Sequence, residues 1–187
     1  QYAQRRHRTD TIVMANATRS LLKKGDNFSV TVLEAERQRI STLLRDNGYY
    51  YFRPEYITYQ ADTVRTPGKV SLKVVSSNNV PREALRPWSI GNITVALNGY
   101  NNEPPTDTLL YKDLTILYEG KLRVRPAVLY RKLTFKPGER YSNTKQMETQ
   151  TALSRLGIFK YAEMQYMPQD TTRRCKTLDL RINTAYD

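Results

Sequence analysis

An internal repeat constrains the fold of this chain more than any other sequence feature. The stretch "KKGDNFS", which begins at Lys23, returns as "KPGERYS" at Lys136. The matched positions keep a glycine, an acidic residue, an aromatic ring and a serine in the same order. Since self-similarity over a long period marks a repeated structural unit, we expect two copies of one small domain.

Each copy of the repeat continues into an amphipathic helix. The apolar positions recur at helical spacing and would share one face. They are Leu33, Ile40, Leu43 and Leu44 in the first copy, and Met147, Leu153 and Leu156 in the second. Thr31 with Glu34, and Asn143 with Gln146, have the spacing of a capping box and predict where these helices begin.

Gly48 and Gly157 predict where the same helices end. A left-handed C-terminal cap favours a residue without a β-carbon, and both glycines directly follow the apolar helical pattern. Large apolar residues come next, "YYYF" at 49–52 and "IF" at 158–159. We expect these rings to cover the end of the helix and the edge of the sheet, with the tyrosine hydroxyls in water. A stacking platform for nucleic-acid bases is the alternative.

Short alternating segments surround the helices and predict strands. In the first copy they are "DTIVMA" (10–15), "YITYQAD" (56–62) and "KVSLKVV" (69–75); in the second they are "IGNITVAL" (90–97), "AEMQYM" (162–167) and "TLDLRIN" (177–183). A shorter helix is expected after the first strand of each copy, at 17–22 and 126–133. Each copy is therefore predicted to run β-α-α-β-β, an α+β unit in which two helices pack on a three-stranded sheet.

Composition sets the predicted domain limits. The stretch at 80–88 belongs to a segment rich in Ser, Asn and Pro, which is typical of a linker. We expect a first domain at 1–79 and a second at 89–187. The second copy carries an insertion at 99–125, in which 114–124 is expected to form a hairpin that turns at Glu119 and Gly120.

Several functional classes lack their usual sequence signals. The chain has a single histidine, His7, and a single cysteine, Cys175, which is too few for a zinc site or a Cys/His nucleophile. It has no glycine-rich phosphate loop and no nucleophile-elbow motif. We therefore expect no enzymatic activity, no cofactor and no bound metal.

The net charge of +12 keeps a pair of nucleic-acid-binding modules as the alternative function. The basic residues, however, alternate with acids, as at Glu34, Glu36, Arg37 and Arg39, and this pattern favours a solvated face. The GxxG loop and the glycine-aromatic strand of common RNA-binding modules are both missing from the sequence.

The repeated order of these motifs resembles tandem POTRA (polypeptide-transport-associated) domains of the BamA/TamA family of outer-membrane assembly factors. The segments "LLKKGDNFSVTVLEAERQRISTLLRDNGYYYF" and "FKPGERYSNTKQMETQTALSRLGIF" carry the resemblance. It implies a periplasmic location, as part of an outer-membrane protein. The implied partners are unfolded outer-membrane proteins, accessory assembly proteins and a C-terminal β-barrel of the parent chain. This sequence lacks the barrel, so we expect it to be a fragment.

The resemblance also suggests where an unfolded client would bind. The strand after the second helix can form a sheet edge, and its free main-chain groups would pair with an extended client strand. The candidate edge residues are Ile57, Thr58, Tyr59, Gln60, Met164, Gln165 and Tyr166. A proline at Thr58 or Gln165 is expected to weaken client binding without unfolding the domain.

Overall fold

The chain divides into two units, Gln1–Arg86 and Pro87–Asp187. The computed structural model describes residues 8–187, so His7 and the start of the predicted first domain lie outside the described residues. The limits predicted for the two domains and their linker stay a prediction.

Over residues 8–86, the first unit packs helices on a two-stranded antiparallel sheet. Its elements are helix α1 (Arg8–Ala15), a 3-10 turn (Ala17–Arg19), helix α2 (Val30–Asp46), a 3-10 turn (Pro54–Tyr56), strand β1 (Ile57–Asp62), strand β2 (Ser71–Ser76) and a 3-10 turn (Arg82–Leu85). Its core holds Ile40, Leu44, Tyr49, Phe52 and Ile57, with Val13 of α1 against them.

The strand predicted at 10–15 is wrong, because this segment lies inside α1. Its β-branched residues favour a strand locally, but Thr9 and Val13, four residues apart, are both buried on one helical face. Among residues 8–86, the first unit therefore has two strands where three were predicted. The helix predicted at 17–22 is likewise reduced to a single 3-10 turn.

The second unit has the predicted helices and a larger sheet. Its elements are strand β3 (Ser89–Asn98), strand β4 (Asp107–Tyr111), strand β5 (Leu114–Tyr118), helix α3 (Pro126–Lys132), helix α4 (Asn143–Ser154), strand β6 (Phe159–Pro168) and strand β7 (Thr177–Tyr186). The strand order is β4-β5-β3-β7-β6, and β3 runs parallel to both of its neighbours. The α+β class and the extra hairpin in this unit are confirmed.

The extra hairpin lies earlier in the chain than predicted. It consists of β4 and β5 and turns at Lys112, which adopts a left-handed φ of 54°. The predicted turn at Glu119 and Gly120 instead follows β5. A lysine gives no sequence signal for a left-handed turn, whereas Gly120 does, so the pattern favoured the wrong position.

The two long helices begin earlier than predicted and end near the predicted glycines. The N-terminal caps are Ser29 and Ser142, whose hydroxyls accept hydrogen bonds from the main-chain N–H groups of Val32 and Lys145. Hydroxyl acceptors at this position satisfy one of the free N–H groups of the first turn. Gly48 and Gly157 have φ of 99° and 66°, which confirms the left-handed conformation predicted there.

Candidate functional site

The pairing of β1 with β2 determines which main-chain groups of β1 face outward. The N–H of Ser77 donates to the carbonyl of Tyr56 at 2.8 Å, so these two residues form a hydrogen-bonded pair. Bonded and non-bonded pairs alternate along an antiparallel ladder. Thr58 and Gln60 therefore direct their main-chain groups toward β2.

The remaining residues of β1 direct their main-chain groups away from β2. These residues are Ile57, Tyr59 and Ala61, and they define what we call the outer edge of β1. Among residues 8–187, no strand pairs with this edge. The sequence analysis did not include Ala61. Which residues of a strand direct their main-chain groups outward can be determined only once the pairing with the partner strand is known.

The same argument assigns the outer edge of β6. The N–H of Gln169 donates to the carbonyl of Thr177 at 2.9 Å, which places Gln165 in a bonded pair with β7. Met164 and Tyr166 therefore direct their main-chain groups outward. Pro168 shares this outward phase, where a residue without an N–H breaks no ladder bond.

Helix α4 covers part of the outer edge of β6. The Gln150 side chain donates from Nε2 to the outward carbonyl of Ala162 at 3.1 Å. Over the described part of the chain, the segment of β6 without a paired strand thus includes Met164 and Tyr166, both of which the sequence predicted as candidates. The sequence analysis did not identify Gln150, because no sequence pattern shows which group the side chain of a helical glutamine will contact.

The two proline substitutions predicted to test the site lie at positions whose N–H groups point into the sheet and not toward a client. Thr58 and Gln165 direct their N–H groups into the ladder within each sheet, so a proline there would remove an internal hydrogen bond. The predicted outcome, weaker client binding in an intact domain, therefore does not fit these positions. Ala61 and Met164 are the suitable positions, because their N–H groups face outward.

Side chains from α2 and from the loop before α4 contact the strands that form these edges. The Tyr59 hydroxyl donates to the carbonyl of Leu33 at 2.7 Å, and the Arg37 guanidinium lies 5.2 Å from the centre of the Tyr59 ring. The Tyr166 ring packs edge-on against Tyr141, with ring centres 5.2 Å apart. These contacts hold β1 against α2 and β6 against the loop before α4.

Glu36 of α2 departs from the solvated face predicted around 34–39, whereas Glu34 is exposed as that prediction requires. The side chain of Glu36 is fully buried. Burial opposes its ionisation, but hydrogen bonds from Arg39, the Leu21 N–H and Ser20 outweigh burial and lower its pKa. Its carboxylate is therefore a structural acceptor inside the first unit.

The structure offers few features for other chemistries. Across residues 8–187, no group of three or more His, Cys, Asp or Glu side chains could hold a metal ion. Within the same range, no helix combines the length and apolarity needed to cross a bilayer. Tyr49 and Phe52, two of the four rings proposed as a base-stacking platform, are buried in the core with 2% and 5% exposure. They do not offer their faces to a nucleic acid.

Comparisons with known proteins identify the fold. No protein-family model matches the chain, and no curated protein matches its sequence. Among solved structures, the chain matches the crystal structure of BamA from Haemophilus ducreyi lacking POTRA domains 1–3, with a TM-score of 0.66 and 15% identity over 100% of this chain. The chain has a POTRA-like fold.

A second solved structure supports this fold. It is Haemophilus influenzae BamA POTRA3–5, with a TM-score of 0.53 and 14% identity over 95% of this chain. The chain spans 28% of the first matched protein and 54% of the second. At such identities the similarity concerns the fold, and it confirms the resemblance to tandem POTRA domains read from the repeat.

Proposed function

We propose that this chain is a non-enzymatic periplasmic region of an outer-membrane protein assembly factor. In this proposal it binds extended segments of unfolded outer-membrane proteins at the outer edges of β1 and β6. The POTRA-like fold supports the assembly role. The outward main-chain groups of Ala61 and Met164 support binding by strand addition.

Strand addition suits clients of varied sequence. The client contributes main-chain N–H and C=O groups, which every residue except proline carries, so pairing depends little on side chains. Side chains at alternate positions would contact the flanking surface of Tyr59 and Arg37 on one unit and of Tyr166 on the other. Recognition of this kind distinguishes extended segments from folded ones.

The available hydrogen bonds set the expected affinity. Each pair of outward residues that a client meets would offer about four main-chain hydrogen bonds, each worth roughly 1 kcal/mol net. Before the cost of association is subtracted, about 4 kcal/mol corresponds to a dissociation constant of about 1 mM, so one edge alone should bind no more tightly than this. Two edges on one chain, joined to one client, would bind more tightly through their effective concentration. Weak single contacts allow a client to be passed on.

The test is a residue-resolved NMR titration with a peptide that copies the last strand of an outer-membrane barrel protein. We expect shifts concentrated at 57–61 and 164–166. Ala61→Pro and Met164→Pro should reduce the shifts at their own edge, because each removes an outward N–H and keeps the internal ladder. Ala61→Val and Met164→Leu are the matched controls, and they should bind as the parent chain does.

Two outcomes would contradict the proposal. One is unchanged peptide binding in both proline variants that remain folded. The other is a response to a short single-stranded oligonucleotide alone, with salt-sensitive shifts centred on lysines and arginines. The second outcome would favour the nucleic-acid alternative and make the net charge of +12 the functional feature.

A further inference from the structure

The second unit carries a groove on the side of α4 opposite its buried residues Thr149 and Leu153. The groove has a volume of about 640 Å³, which is within the range of ligand-binding clefts. Arg131 and Lys132, at the end of α3, form one wall. The α4 residues of the groove have the spacing of one helical face and extend along the whole helix. They are Thr144, Met147, Glu148, Thr151, Ala152 and Arg155.

Met147 makes this exposed face partly apolar. The sequence pattern predicted Met147 on the same face as Leu153, but the two residues are six positions apart, about 120° around the helix axis. Leu153 is fully buried, whereas Met147 is 60% exposed. The prediction for Met147 is therefore wrong. Met147, Ala152 and the methyl groups of the threonines give the groove an apolar floor.

Three basic side chains border this floor. Arg131, Lys132 and Arg155 line the groove, and among residues 8–187 none of the three forms an ion pair. Long basic side chains lay their aliphatic stems on apolar surface and keep their charge in water. The groove therefore offers an apolar surface with positive charges around it.

The equivalent face of the first unit has a different chemistry. In the register of the repeat, Met147 corresponds to Glu34, and Arg155 corresponds to Thr42. Glu34 forms an ion pair with Arg37 at 3.2 Å. A polar face with paired charges is typical of a helix that faces water. The exposed methionine and the cations without acidic partners favour a bound partner on α4 over a face left to water.

We propose that this groove binds an acidic amphipathic helix of a partner protein. The apolar side of that helix contacts Met147 and Ala152, as in other helix-in-groove complexes. Acidic residues at its margins pair with Arg131, Lys132 and Arg155, because opposite charges across an interface fix its register. The groove is lined by α3, α4 and Thr134, and not by β1 or β6, so the inference does not depend on client binding at the strand edges.

The shape and charge of α4 favour a helix over a nucleic acid. Its 12 residues span roughly 18 Å, which matches about three turns of a partner helix. Thr151 and Ala152 are small and let another helix approach closely. Glu148 is exposed on the same face. Its carboxylate repels a uniform chain of phosphates, whereas a helix can place an uncharged residue opposite it.

The test is a residue-resolved NMR titration of the full chain with a synthetic helical peptide as long as α4. The peptide carries leucine along one face and glutamate at both margins of that face. We expect the shifts to concentrate at 131–134 and on the exposed face of α4. Two control peptides should bind roughly tenfold more weakly: one has glutamine in place of each glutamate, and the other has a central proline that breaks the helix.

Charge reversals separate the groove from the net charge of the chain. Arg131→Glu combined with Arg155→Glu should weaken peptide binding roughly tenfold, since each change replaces an attraction by a repulsion. Lys121→Glu combined with Arg174→Glu is the matched control, because it changes the net charge equally at exposed positions outside the groove. This control should bind the peptide as the parent chain does.

A gain of binding guards against variants that fail to fold. Glu148→Lys should tighten binding of the acidic peptide several-fold, because it replaces the repelling charge in the groove. Glu119→Lys, at an exposed position outside the groove, is its matched control and should leave the affinity unchanged.

Three outcomes would overturn the proposal. Equal weakening by the two double variants would mean that the net charge of +12 attracts the peptide. Shifts centred on 57–61 and 164–166 would mean that the peptide binds at the strand edges. Tighter binding of a short single-stranded oligonucleotide at the same groove residues would assign the groove to a nucleic acid.

Discussion

The two units use different chemistry at one equivalent buried position. In the first, the N–H of Leu21 donates to the Glu36 carboxylate at 2.9 Å. In the second, the N–H of Thr134 donates to the Thr149 hydroxyl at 3.1 Å. Both pairs lie at the same repeat spacing as Gly25 and Gly138. In each unit, one fully buried polar side chain on the long helix thus satisfies one main-chain N–H of the segment before it.

The difference lies in what each buried acceptor requires around it. The Glu36 carboxylate accepts two hydrogen bonds from Arg39, at 2.8 and 2.7 Å, and one from Ser20 at 2.8 Å. The Thr149 hydroxyl lies 2.6 Å from the Thr134 hydroxyl and carries no charge. A buried charge is tolerated only when it is fully paired, whereas a neutral hydroxyl needs fewer partners. The first unit is therefore the more sensitive to changes at this position.

Removal of the carboxylate should have the largest effect. Glu36→Ala leaves the Leu21 N–H, Ser20 and Arg39 without their acceptor, and breaking a buried ion pair from one side costs about 3–5 kcal/mol. We expect the first unit to lose much or all of its stability while the second keeps its native spectrum. Urea unfolding followed by residue-resolved NMR measures each unit separately. A loss below about 1 kcal/mol would show that water replaces the carboxylate.

The equivalent change in the second unit should be smaller. Thr149→Val keeps the side-chain shape and leaves the Thr134 N–H without its acceptor, at a cost of about 1–3 kcal/mol. The same urea experiment should show a loss confined to the second unit. Thr151→Val, on an exposed position of the same helix, is the matched control and should change little. Equal losses for Glu36→Ala and Thr149→Val would remove the distinction between charged and neutral acceptors.

The third prediction concerns pH, and its expected effect on the free energy of unfolding at pH 7 is the smallest of the three. The pKa of Glu36 is lowered in the folded chain from its ordinary value of 4.5. Its stabilisation is therefore fully present above pH 4.5 and is lost as the pH falls through the lower folded pKa. Glu36→Gln keeps a hydrogen-bonding oxygen but loses the charge, so it should cost about 1–2 kcal/mol at pH 7.

The difference in unfolding free energy between the parent chain and Glu36→Gln should shrink as the pH falls below 4.5. Taking this difference cancels the other carboxylates, including Glu139, whose pKa a hydrogen bond from Lys145 lowers in the second unit. A difference that stays constant with pH would mean that the charge of Glu36 does not contribute.

The sequence by itself determined the features that repeat locally. The duplicated loop, the apolar faces of α2 and α4, and Gly48 and Gly157 each depend on residues near one another in the chain. Their spacing therefore predicted the two units, their long helices and the α+β class. The alternation in β2 and β7 predicted strands for the same reason, since period two requires only neighbouring residues.

Tertiary structure alone decided the features that depend on distant partners. The segment at 10–15 became helix α1 because Thr9 and Val13 are buried on one face of it, against strand-favouring residues. The outward phase of Ala61 and Met164 exists only once β2 and β7 have fixed the ladder register. Glu36 lies within a charged stretch, yet it is buried because Ser20, Leu21 and Arg39 surround its carboxylate. Burial and pairing depend on residues that are distant in the sequence and close in the fold, so the spacing of residues along the chain does not predict them.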